Sequence, residues 1–142
     1  MTRIIGKYEG ESGGPLLVCF GGMHGNEVAG VKALRLLFKM LEIEPKRNPS
    51  FRFRGRIIGL AGNLAALKKG QRFIKNDLNR MWTVETARRT AKNSPFLLSS
   101  EEREMREILM ILKKEAETYR PEKMVILDLH TTSAFGGIFS IV

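Results

Sequence analysis

Apolar residues fall in short blocks along the chain, separated by charged or turn-forming segments, and the blocks switch between strand-like and helix-like spacing. Residues 3–8 and 15–20 read as strands around "EGESGG", whose glycines and serine supply a reversal. The second block contains "LLVCF", apolar throughout, as expected of a strand covered on both faces. Residues 26–42 carry apolar side chains over most of a helical circumference, which predicts a substantially buried helix. The prolines of "EPKRNPS" are expected to end it, since they cannot continue helical hydrogen bonding.

"FRFRGRIIGLAG" (51–62) reads as another strand, alternating at first and then apolar. A short helical turn is expected over "LAALKKG", a loop over "NDLNRMW" and a helical piece over "TVETARRTA". "SSEEREMREILMILKKEAETY" has the clearest helical pattern. Ser99 and Glu102 have capping-box spacing, and Met105, Ile108, Leu109, Leu112, Ala116 and Tyr119 form one apolar stripe. Its glutamates come early and its lysines later, as the helix dipole favours, and Pro121 stops it. "KMVILDL" (123–129) reads as one more buried strand.

Strands alternating with helices imply an α/β fold, with a mixed, mostly parallel sheet and helices on both faces. No repeat, low-complexity tract or linker divides residues 1–142. The closing "GGIFSIV" resembles the start of a further strand with nothing to cover it, so the domain is expected to be incomplete and the chain a fragment.

Composition adds little to this picture until charge is considered. The 142 residues suit one domain, and 43% apolar with 27% charged residues is ordinary globular usage. Cys19 is the only cysteine, which rules out an internal disulfide and suits a reducing compartment. Charges interrupt "MTRIIGKYEGE" where a signal peptide needs an apolar segment. No apolar run approaches the roughly 18 residues of a membrane span. A cytoplasmic protein without membrane association is the expectation. The formal charge of +9 is unusual, and its basic residues gather in 52–56, 68–75 and 87–92. Such clusters can track nucleic acid, steer a small anion, or simply face solvent. Nucleic acid is disfavoured because aromatic residues are not interleaved with the basic ones as a stacking platform needs.

The candidate chemistry lies at strand ends. The only two histidines, His24 in "GGMHGNE" and His130 in "DLHTT", both follow apolar strands. In open α/β sheets that rim is where ligands bind. Glu27 lies three residues after His24, placing both on one side of a first helical turn. Two imidazoles and a carboxylate make a catalytic zinc set with a position open for water. The alternative is that His24 caps the helix, Glu27 pairs with a lysine and His130 is a satisfied strand-end residue. Asn79 and Arg80 offer an amide and a two-pronged guanidinium for a carboxylate, or else a loop arginine bonding carbonyls. Asp77 could serve the turn or hold Arg80. Asp128 points to the same sheet face as His130, where it could support that imidazole or bond a neighbouring loop.

Taken in order, three motifs resemble the succinylglutamate desuccinylase/aspartoacylase family, relatives of the zinc carboxypeptidases. "GGMHGNE" resembles the segment bearing the first two zinc ligands, which transfers that role to His24 and Glu27. "GNLAALKKGQRFIKNDLNRMW" resembles the segment ending in a carboxylate-binding Asn-Arg pair, here Asn79 and Arg80. "DLHTT" resembles the strand end with the third ligand, His130. The resemblance implies a zinc carboxypeptidase-like (phosphorylase/hydrolase-like) fold and one zinc ion per chain. It also implies hydrolysis of an amide in a small anionic N-acylated substrate. The same groups would serve a carboxypeptidase. Where the family commonly has an arginine two residues after Asn63, this sequence has Ala65, which leaves room for a non-catalytic anion-binding relative. Arg72 matches another arginine frequent in that segment and could compensate. The family's general-base glutamate follows the third ligand, is expected beyond Val142, and matches no glutamate of this chain.

Overall fold

The structure, a computed structural model, describes residues 1–131. The apolar run in the second strand block is central because both its faces are covered. Four strands, β1 (Ile4–Glu9), β2 (Glu11–Gly21), β3 (Arg54–Ala61) and β4 (Met124–Leu129), form one sheet in the order β1-β3-β2-β4. β2 pairs in parallel with β3 and β4, whereas β1 runs antiparallel to β3. Val18 stands opposite Ile58 on one side and Ile126 on the other.

Strand alternation divides the core in two. Leu16, Val18, Phe20, Ile58 and Leu60 face the long helix α4 (Ser100–Tyr119), meeting Met105 and Ile108. Leu17, Cys19 and Ile57 face the other way, against Leu34 and Phe38 of α1 (Ala29–Arg47). The sheet is thus mixed, with helices on both faces. Burial raises the Cys19 thiol pKa to about 11, so this side chain acts as a small apolar filler rather than a nucleophile. Two short helices, α2 (Leu64–Lys69) and α3 (Val84–Lys92), and a single turn at Leu78–Arg80 occupy the crossover between β3 and α4. Ser99 caps α4 with the reciprocal Glu102 bond that the spacing predicts.

Several expectations are corrected. "EGESGG" does not join neighbouring strands. β3 lies between β1 and β2, because the apolar blocks of β2 and β3 gain more from pairing with each other at the sheet centre. The first long helix begins at Ala29, since residues 22–28 form a loop, and it continues through Pro45 to Arg47. A proline in the last turn forfeits one hydrogen bond and keeps a helical φ, so termination falls to Asn48, whose N–H bonds the Glu44 carbonyl at 2.8 Å. This helix is one-sided rather than substantially buried: Leu34 is 1% exposed but Leu36 60%. Nor is β4 buried. It pairs only with β2 among the described residues, leaving Ile126 57% exposed. The segment "GGIFSIV" lies outside the described residues.

The basic run 52–56 is largely neutralised on the spot. Arg52 approaches Glu11 at 3.7 Å, Arg54 pairs with Glu122, and Arg56 bridges Glu9 at 2.6 Å and Glu115 at 2.7 Å. Glu115 also meets Lys7 at 3.0 Å, so one buried carboxylate of α4 ties β1 and β3 to the helix. Burial alone would raise its pKa, but the Lys7 and Arg56 hydrogen bonds and charges outweigh that and hold it below the ordinary carboxylate range. A carboxylate depressed in the folded state stabilises above its unfolded pKa near 4.3, and that stability is lost as pH falls through the folded pKa. Urea unfolding of Glu115→Gln should therefore show a loss of about 2 kcal/mol at pH 7, and the gap from wild type should shrink below pH 4. An equal gap at both pH values would contradict the linkage.

Candidate metal site at the C-terminal rim

The parallel strands β2 and β4 end in register, with Gly21 opposite Leu129. That register delivers the following residues of each strand to one rim. Beyond Gly21 the chain must turn sharply, and Gly22 does so at a φ of 75°, a region that disfavours side chains. Gly25 then passes so close to α2 that a Cβ there would lie 2.1 Å from the Ala66 carbonyl carbon. Its N–H donates to the Arg72 carbonyl at 3.1 Å, joining this loop to the segment after α2. The glycines flanking His24 are therefore demanded by backbone path and crowding.

His24 and Glu27 come together through a turn, closed by Glu27 N–H on the His24 carbonyl at 3.1 Å, rather than on a first helical turn as expected. Both are buried. His24 Nδ1 stands 2.9 Å from Glu27 Oε1, and His130 Nδ1 stands 3.1 Å from Glu27 Oε2. The two imidazole centroids are 5.1 Å apart. One donor atom from each of His24, Glu27 and His130 lies within 4.8 Å of the others.

Each imidazole has a second carboxylate on its far nitrogen. Asp77 Oδ1 meets His24 Nε2 at 3.1 Å, and Asp128 Oδ2 meets His130 Nε2 at 2.5 Å. Those carboxylates favour the proton on Nε2 and leave both Nδ1 lone pairs aimed at the Glu27 carboxylate. Three acceptors converging in this way repel one another unless a proton on Nδ1 or a metal cation lies between them. The donor set thus fits a metal ion of the kind bound by imidazole and carboxylate.

The surrounding electrostatics agree. Burial pushes the Glu27 carboxyl up, but the Thr131 N–H at 2.8 Å and the two imidazoles more than offset it and hold Glu27 below the usual range. Asp77 is also lowered. Its burial is outweighed by the His24 bond, the Asn79 N–H at 3.0 Å and the Arg72 charge. Asp128 goes the other way, raised chiefly by burial despite its bond to His130. Its Oδ1 is buried without a partner among the described residues.

The carboxylate-binding candidates are placed unequally. Asn79 Nδ2 approaches His130 Nε2 at 3.4 Å. The half-exposed Arg72 guanidinium reaches within 3.8 Å of Glu27 and 3.6 Å of Asp77. Arg80 is exposed and is tied in by its backbone, its N–H bonding the Asp77 carbonyl at 2.9 Å. Ala65 sits in α2 with its N–H on Glu104 at 3.0 Å. The partners of Asp77 are His24 and Arg72 rather than the Arg80 side chain. The one sequence signal for this was its position just before the Leu78–Arg80 turn, which it caps.

Residues 13–142 match the family profile described as the succinylglutamate desuccinylase/aspartoacylase catalytic domain. A probable aspartoacylase from Nostoc sp. is 32% identical over 122 residues, covering 86% of this chain and 37% of that protein. A succinylglutamate desuccinylase from Pseudomonas putida is 39% identical over 66 residues, covering 46% of this chain and 18% of the relative. Among solved structures, the succinylglutamate desuccinylase of Chromobacterium violaceum aligns with a TM-score of 0.59 at 21% identity, over 85% of this chain and 34% of that one. This last likeness establishes the fold. The chain spans little more than a third of the length of the aspartoacylase and of the solved desuccinylase.

Gly25→Ala should lower the unfolding free energy by about 1–3 kcal/mol, because the new methyl meets α2 backbone rather than a movable side chain. Chemical denaturation would measure it. Wild-type stability in this variant would contradict the close approach.

Proposed function

Since the chain belongs to the succinylglutamate desuccinylase/aspartoacylase catalytic-domain family, we propose that residues 1–142 are the N-terminal, metal-binding portion of a zinc-dependent deacylase domain. The substrate class would be a small anionic N-acyl amino acid, of which succinylglutamate is one example. The observation that carries this reading is the convergence of His24, Glu27 and His130, each imidazole backed by its own carboxylate.

In this reading His24 Nδ1, Glu27 and His130 Nδ1 hold the ion, while Asp77 and Asp128 fix ring orientation and tautomer from behind. Zinc would supply Lewis acidity, both to the scissile amide carbonyl and to a water whose pKa it brings toward neutrality. Asn79 and Arg80 would grip a substrate carboxylate, the guanidinium through two parallel N–H donors. Arg72, at the rim beside Glu27 and Asp77, would attract the anionic substrate and face negative charge developing at the carbonyl oxygen. The exposed Arg80 side chain is free to swing onto a ligand without giving up an ion pair among the described residues. Among those residues, no helix is long and apolar enough to cross a membrane.

Metal analysis of purified protein should find about one zinc per chain, with His24→Ala and His130→Ala each losing it. Arg80→Ala should keep its zinc while weakening binding of an N-acyl amino acid roughly tenfold, the scale of a charge-assisted hydrogen bond. Equal metal content in wild type and both histidine variants would remove the zinc reading. Unchanged ligand affinity in Arg80→Ala would remove the carboxylate grip.

A further inference from the structure

The N-terminal end of α4 carries two buried acids that the site described above does not use. Glu104 accepts from the N–H groups of Leu64 at 3.2 Å and Ala65 at 3.0 Å, capping α2, and pairs with buried Arg3. Glu101, fully buried, turns to a different segment. Its Oε1 accepts from Ile74 N–H at 2.7 Å, Lys75 N–H at 3.3 Å and Asn63 Nδ2 at 3.2 Å. Its Oε2 accepts from Lys75 N–H at 3.2 Å and Asn76 N–H at 3.3 Å. Three consecutive backbone amides therefore converge on one carboxylate, an arrangement that favours an anion.

That segment has little else to define it. Residues 71–77 run between α2 and the Leu78–Arg80 turn without regular secondary structure. Gln71 N–H bonds the Ala66 carbonyl at 3.2 Å and the Arg72 carbonyl accepts from Gly25 N–H at 3.1 Å, and the next fastening along the segment is Glu101. The next residue after the three clamped amides is Asp77, whose Oδ1 stands 3.1 Å from His24 Nε2. Burial would raise the Glu101 carboxyl, but the donors of Ile74, Asn63, Lys75 and Asn76 hold it below the usual range, so the clamp is charged at neutral pH. Its place in the first turn of α4 favours that charge as well.

We propose that Glu101 is a positioning residue of the metal site: it sets the 74–76 backbone so that Asp77 meets His24 and holds that imidazole in the ligating orientation. This rests on the zinc reading of the site. Glu101 touches neither the ion nor the substrate and acts through Asp77. Replacing one of its oxygens by an amide NH2, as in Glu101→Gln, turns an acceptor into a donor facing backbone donors. At least one of the three N–H groups is then left unmatched in a buried place. The segment must shift, and Asp77 with it.

The test compares Glu101→Gln with Glu104→Gln, a buried acid about one turn further along the same helix whose bonds go to α2 and Arg3. Zinc affinity is read by chelator competition, fold integrity by Tm, and the clamp itself by amide hydrogen exchange at residues 74–76. Glu101→Gln should weaken zinc binding about tenfold, the lower end of what loss of a ligand-orienting partner causes, and should speed exchange at 74–76. Glu104→Gln should lower Tm without changing either readout. Wild-type zinc affinity in Glu101→Gln would overturn the proposal. So would an equal loss in Glu104→Gln, which would reduce the effect to general destabilisation. If Glu101→Gln does not fold, Glu101→Asp keeps the charge but withdraws it by one methylene and should weaken zinc in the same way. If the wild type itself bound no zinc, the proposed function would fall, and unchanged exchange at 74–76 in the variant would separately refute the clamp.

Discussion

Parallel pairing between β2 and β4 is the constraint on which the site depends. His24 and His130 are more than a hundred residues apart, and no local interaction brings them together. The ladder that sets Gly21 opposite Leu129 does so, because in parallel strands the C-terminal ends share one rim. His130 is the first residue beyond its strand, and His24 follows its own strand by a glycine-bearing turn that folds back toward β4. A slip of one residue would send His130 to the opposite face of the sheet. Burial on both sides of β2, against α4 and against α1, makes such a slip expensive.

Around that rim the chain uses carboxylates as fasteners. Glu27 draws together two imidazoles and the Thr131 N–H. Asp77 and Asp128 stand behind the imidazoles. Farther out, Glu104 caps α2, Glu101 gathers the 74–76 amides, and Glu115 ties β1 and β3 to α4. Three of these acids lie on α4, whose polar side therefore holds a loop, a helix start and two strands while its apolar stripe packs the sheet. In a protein with net charge +9, the four buried acids, Glu27, Glu101, Glu104 and Glu115, all have structural partners, and many of the basic residues stay at the surface.

What the sequence made legible was whatever depends on local pattern. The uniform apolarity of "LLVCF" announced a doubly covered strand, and Ser99 with Glu102 announced the start of α4. His24 and His130 stood out because the only two histidines follow apolar strands, and Glu27 and Asp128 because they stand three and two residues from them. Long-range choices were not legible. That β3 would lie between β1 and β2 depends on comparing pairings across the chain, and the exposure of β4 depends on what lies beside it. The turn joining His24 to Glu27 reads like the start of a helix because a turn and a helix share i, i+3 proximity. Glu101 was hidden next to Glu102: the two are adjacent acids in one helical turn, and only the fold shows that one caps its own helix while the other holds a loop.

The most direct measurement is X-ray absorption at the zinc edge on metal-loaded protein. Two imidazole nitrogens and a carboxylate oxygen at about 2.0–2.2 Å, completed by a light-atom ligand, are the expected shell. A coordination sphere without imidazole scattering, or with sulfur from Cys19, would contradict a metal centre assembled by β2, β4 and the turn between His24 and Glu27.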